Sequence, residues 1–136
     1  MQRLKGLISI FLVLQSPLVM AQEPACRTPL KPMLRVEMFF GREIDGRLGV
    51  SGKKWQRFVA REIAPRFSGL TVLDGRGWWR GPKGRAVNNE SSKVVIIVMP
   101  DSETARERID AVARAYKARF KQQSVGIVIQ SACAGF

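Results

Sequence analysis

Lys93-Val94-Val95-Ile96-Ile97-Val98-Met99-Pro100 is the stretch on which the reading of this chain turns. Five of its eight residues are β-branched, and Pro100 closes it. A run this short and this rich in Val and Ile reads as a strand with both faces buried. The remaining segments are then read as its partners or its cover.

Upstream, Met33 to Phe40 alternates. Leu34, Val36, Met38 and Phe40 point one way, Arg35 and Glu37 the other, which is a strand with one buried face. Gly41 to Arg47 is turn material leading to Ser51, a helix N-cap. From Lys53 the period becomes helical: Trp55, Phe58, Val59 and Ile63 share a stripe, and Pro65 ends the helix near Ala64. Leu70 to Leu73 is a second strand. Asp74-Gly75 and Gly77 are expected to break its ladder before Trp78-Trp79-Arg80 resumes it. Gly81 to Ser92 reads as a long polar loop.

Beyond Pro100, Asp101 or Ser102 caps a second helix whose apolar stripe is Ala105, Ile109, Val112, Ala113, Tyr116 and Phe120. Ser124 to Gln130 alternates as a last strand. The order strand, helix, strand, strand, helix, strand is the α+β ferredoxin-like β-α-β-β-α-β pattern, a four-stranded antiparallel sheet with two helices on one face. In that pattern the first and third strands are central and the last lies beside the first.

The ends of the chain bound its compartment. Met1 to Ala21 carries basic Arg3 and Lys5, an apolar run from Leu7 to Leu14, and a small-residue exit, the pattern of a secretory leader cleaved after Ala21. Its apolar run is too short to span a bilayer, so no transmembrane segment is expected in the mature chain. Residues 22–32 hold three prolines and read as an irregular lead, leaving 33–136 as a single domain. A periplasmic or secreted location favours a disulfide between Cys26 and Cys133. The fold agrees independently, because it brings the start of the first strand beside the end of the last.

Losing Arg3 and Lys5 lowers the formal charge from +12 to +10. Such a surplus favours an anionic envelope ligand or partner, and secretion makes nucleic acid an unexpected one. Two helices cover only one sheet face, yet the central strand is apolar on both. The second face therefore either meets another copy in a homodimer or is covered by the lead, the polar loop and the C-terminal tail.

The chain has no histidine, so the commonest general base and metal ligand are missing, and no metal or cofactor is expected. No phosphate-loop or dinucleotide signature appears. Ligand-binding candidates are single residues: Arg66 after the helix-ending proline, Trp79 and Arg80 in a Gly-rich basic stretch, Glu90 and Lys93, Tyr116, and Gln123. Glu90 and Lys93 can also simply pair with each other, and one tryptophan of the pair is expected in the core with the other as a lid. No catalytic residue is assigned. A non-catalytic envelope protein leads. An enzyme of the dimeric α+β barrel kind would need Glu90, Lys93, Tyr116 or Arg66 to converge in a closed pocket. A purely structural or stress-related role is the third reading.

Several phrases resemble one family: Phe40-Gly41-Arg42, Val50-Ser51 followed by Trp55 and Phe58, and Ile63-Ala64-Pro65-Arg66-Phe67. Gly69-Leu70-Thr71-Val72, Glu90 to Val94, and Tyr116-Lys117 through Val125 continue it. Together they are similar to the secreted bacterial proteins grouped as domain of unknown function 3574, with Ser68 where a proline is expected. The resemblance implies a secreted bacterial origin and brings no activity, cofactor or catalytic residue.

Overall fold

The structure of the protein, a computed structural model, describes residues 25–80 and 86–136, and of residues 79–80 and 86–88 the backbone. The leader reading falls on residues 1–21, outside the described residues.

Strand β1 (Lys31–Gly41) obeys the alternation: Leu34, Val36, Met38 and Phe40 are buried and their odd-numbered neighbours are not. A short hairpin follows, β2 (Glu43–Ile44) and β3 (Arg47–Leu48). Its two central residues have positive φ, Asp45 at 51° and Gly46 at 73°. This is the two-residue Asp-Gly turn whose twist suits antiparallel strands, and Gly46 accepts that geometry without a Cβ penalty.

Helix α1 (Gly52–Phe58) is capped by the Ser51 hydroxyl, which accepts from the Lys54 N–H at 3.3 Å. It widens to π geometry over Val59–Ile63 and tightens to a 3₁₀ turn over Ala64–Arg66, around the proline that stops it. Strands β4 (Thr71–Arg80) and β5 (Ala86–Met99) come next. Helix α2 (Glu103–Phe120) is capped by Ser102, and β6 (Gly126–Ala134) ends the domain.

The four long strands form one antiparallel sheet in the order β4-β5-β1-β6. Val36 lies opposite Ile97 on one side and Ile129 on the other. The expected architecture holds, and so does the bridge: Cys26 and Cys133 are bonded, with Cα atoms 5.5 Å apart.

Three boundaries differ from the sequence reading. β4 runs unbroken through Asp74 and Gly75, which pair with Lys93 and Ser92, and its register shifts only between Gly77 and Trp79. β5 begins at Ala86, so Ala86 to Ser92 is strand rather than loop. There β4 and β5 form a two-stranded ribbon beyond β1. Pairing satisfies the backbone, and polar side chains carry no alternation to read. β6 runs to Ala134 because Ser131–Ala134 pair with Lys31–Leu34.

The core lies between the helices and one sheet face. All six residues of the α2 stripe are buried in it. Phe40 and Tyr116 have ring centroids 4.8 Å apart, Phe58 and Tyr116 5.0 Å, and Trp55 sits 5.2 Å from Phe40. Among the described residues no polar or charged residue is buried. The sheet is thereby fixed from one side only.

Candidate functional site

The pleat sends every second side chain of the sheet away from the helices. Phe39, Leu73, Val94, Ile96, Val98 and Val128 lie on that open face. Phe39, Leu73 and Val128 are 39–47% exposed, and the three β5 residues are partly buried by their neighbours. At one end of this face the apolar strip gives way to residues without side chains. Gly41 is opposite Ser92, Gly77 opposite Glu90, and Gly126 opposite Phe39.

The missing side chains leave a cleft of about 560 Å³, within the size range of small-molecule sites. The β2–β3 turn (Glu43 to Gly46) forms one wall and the α2–β6 connection (Lys121 to Ser124) another. Trp78, 74% exposed, stands at the rim. Phe39, Ile44 and Trp78 offer apolar surface.

The walls are tied together by hydrogen bonds. Glu90 Oε1 accepts from the Glu43 N–H, and Glu43 Oε1 accepts from the Ser91 N–H, each at 3.4 Å. Gln122 Nε2 donates to the Glu43 carbonyl at 2.7 Å, joining the hairpin to the end of α2. The Arg42 N–H donates to the Ser91 carbonyl at 3.0 Å, and Arg42 Nε to the Val50 carbonyl at 2.9 Å. A Cβ on Gly41 would fall 2.3 Å from Glu90 Oε1, so the glycine is what lets that carboxylate lie across the strand.

Below the sheet the Tyr116 hydroxyl donates to the Gly41 carbonyl at 2.7 Å. Burial pushes the phenol well above its ordinary value. Nearby Arg42 opposes that rise and the Glu90 charge adds to it. Tyr116 thus supports the cleft floor from the core as a neutral donor.

Among the described residues, Glu43, Asp45 and Glu90 line the cleft against a single cation, Lys121. The site is acidic in a chain of formal charge +12. Among the described residues no group of three His, Cys, Asp or Glu side chains is placed to hold a metal ion.

The sequence candidates do not converge. Glu90 and Gln123 line the cleft, and Tyr116 lies beneath it. Lys93 is on the helix side, opposite Phe40, and pairs with Asp74 rather than Glu90. Its hydrogen bond and charge hold the Asp74 carboxyl below the usual range, outweighing desolvation, and Arg42 adds the smallest contribution. Arg66 bonds the Glu62 carbonyl and carboxylate at the end of the first helical segment. The side chains of Trp79 and Arg80 lie outside the described residues, and Trp78 is no core residue. Phe39, Glu43, Asp45, Lys121 and Gln122 were not singled out. The Asp45-Gly46 dipeptide was the one available signal, since it marks a tight hairpin.

A family model described as a protein of unknown function, DUF3574, matches residues 35–136. The chain belongs to DUF3574. The match spans the sheet from Arg35 onward, both helices and every residue that lines the cleft. No curated protein matches the chain significantly. Among solved structures this DUF3574 protein is similar to a phage SAM lyase in complex with S-methyl-5'-thioadenosine. The two share 16% identity over 84% of this chain and 97% of that one, with a TM-score of 0.59. A phage SAM lyase in its apo state gives 19% identity over 76% and 90%, with a TM-score of 0.56. CutA from Archaeoglobus fulgidus, titled a periplasmic divalent cation tolerance protein, gives 13% over 76% and 87%, with a TM-score of 0.52. At these identities the likeness is one of fold.

Proposed function

We propose that this DUF3574 protein is a non-catalytic, secreted or periplasmic binding domain, its leader cleaved after Ala21, and that the cleft on the open sheet face is its small-molecule site. The observation that carries this reading is the composition of the cleft among the described residues: three carboxylates, one ammonium and apolar walls around a glycine floor. That arrangement favours a ligand with a flat apolar part and a positive charge. The anionic envelope partner expected from the net charge belongs instead to the basic outer surface, where it would localise the protein. The leader pattern and the disulfide support an oxidising compartment. Among the described residues no helix is long and apolar enough to cross a membrane. A homodimer through the open face fits the same reading if the second copy lies across Leu73, Ile96 and Val98 and leaves the cleft accessible.

The separation of Lys93, Tyr116 and Arg66 from the cleft favours binding over catalysis, because they share no point at which a reacting atom could sit. Two probes that differ mainly in charge test the site. S-adenosylmethionine carries a sulfonium cation, and S-adenosylhomocysteine is the thioether that lacks only its methyl group and that charge. Calorimetric titration is expected to show tighter binding of the sulfonium, weakening with salt, and loss of the preference in Glu90→Gln. Equal affinities, or tighter binding of the neutral probe, would reject an acidic site.

A further inference from the structure

The sheet has two edges, β4 and β6. An edge strand presents unpaired N–H and C=O groups, and proteins guard such edges with charge, proline or bulges. β4 is guarded: it carries Asp74, Arg76 and Arg80, and its register slips between Gly77 and Trp79. β6 is not. Its sequence Gly-Ile-Val-Ile-Gln-Ser-Ala-Cys-Ala contains no charge and no proline, although a quarter of the chain is charged. It pairs with β1 in one unbroken register from Gly126 to Ala134.

The apolar residues of β6 are exposed on both faces. Ile127 and Ile129, opposite Met38 and Val36, are on the helix side, yet remain 37% and 39% exposed. Val128 is on the open side at 39%. Towards Cys133 the bridge to Cys26 ties the N-terminal lead to the strand, so the stretch furthest from that tie is Gly126 to Gln130.

We propose that this edge pairs antiparallel with the same edge of a second copy, about a twofold axis at Val128, to make one sheet of two four-stranded halves. Self-complementarity is what selects a second copy. Ile127-Val128-Ile129 reads the same in both directions, so the axis sets Ile127 opposite the partner's Ile129 and Val128 opposite the partner's Val128. Such β-branched cross-strand pairs are among the favourable ones. Two strongly basic copies also repel each other least where they meet along a neutral strand. The proposal rests on the sheet edge and is independent of any ligand in the cleft.

The mass of the oxidised protein in solution, measured over a range of concentrations, tests it. A dimer is expected. The double variant Ile127→Lys, Ile129→Lys should be monomeric, because it sets two lysines opposite the partner's two across the twofold axis. Leu73→Lys, on the open face at the guarded edge, should remain dimeric. Val128→Cys gives a second readout. Both native cysteines are bonded to each other. Directly opposed Cα atoms in an antiparallel pair are about 4.5–5.5 Å apart, within disulfide reach. The new thiol should therefore cross-link to its own copy on mild oxidation. A wild-type monomer with no Val128→Cys cross-link would overturn the proposal. So would a dimer that survives the double variant and is lost in Leu73→Lys, which would put the contact on the open face.

Discussion

Phe39 and Phe40 are adjacent in the chain and on opposite faces of the same strand. Phe40 is fully buried among Trp55, Phe58 and Tyr116, whereas Phe39 is 39% exposed beside a glycine floor. The same side chain is core material in one case and a cleft wall in the other, and only the pleat separates the two. The helix side of the sheet is closed by interlocking rings and satisfied caps. The open side keeps its apolar residues in contact with water and concentrates carboxylates at one end. The first arrangement holds the fold, and the second presents a surface.

Substitution of the two phenylalanines should separate these roles most strongly. Phe40→Ala empties the middle of the ring cluster and is expected to cost about 3–5 kcal/mol in chemical denaturation. Phe39→Ala should cost about 1 kcal/mol or less. Equal losses would erase the distinction between the faces.

Reducing the Cys26–Cys133 bridge comes next, because it closes a separation of 107 residues. A loss of roughly 3–5 kcal/mol is expected from the chain-entropy model, read as a lower denaturant midpoint with reductant. A change under about 1 kcal/mol would mean that the pairing of β1 with β6 holds the termini without it.

Tyr116 sharpens the comparison through pH. It is the only tyrosine, so phenolate absorbance reports this residue alone. Its folded pKa lies above the unfolded value of about 10. Its contribution is therefore complete below pH ~10 and is lost as pH rises from there towards the folded pKa, because the unfolded chain ionises first. Phenolate should appear only as the protein unfolds in alkali. Tyr116→Phe should flatten that alkaline decline, while costing about 1 kcal/mol at neutral pH through the lost bond to the Gly41 carbonyl. A phenol that titrates near pH ~10 in the folded protein would put Tyr116 in solvent, and with it the cleft.

The smallest effect is expected at the start of α2. Ser102→Ala removes the hydroxyl that accepts from the Ala105 N–H and should cost about 1 kcal/mol, with no change in probe binding.

How much of this was legible depended on what each segment packs against. Met33 to Phe40 and the α2 stripe turn one side to the core, so burial wrote a period into their sequence; Val94 to Met99 was marked by its unbroken apolar run, and the sheet order and disulfide followed. Ala86 to Glu90 pairs only with β4, and no period marks it as strand. The cleft was less visible. Glycines 41, 77 and 126 are far apart in sequence and become one floor only through the β1–β5, β4–β5 and β1–β6 registers. Glu43 and Glu90 are 47 residues apart and meet only because the short hairpin folds back over β5. Gln122 is an ordinary residue just past a helix end until it bonds the Glu43 carbonyl.

The most direct test of the division between the faces is the unfolding midpoint of wild type, Phe39→Ala and Phe40→Ala, each with and without the cationic nucleoside probe. Phe40→Ala should melt far lower. Phe39→Ala should melt near wild type and lose most of the probe-induced rise. If Phe39→Ala instead falls as far as Phe40→Ala, or keeps the full rise, the open face is not the binding face of this sheet.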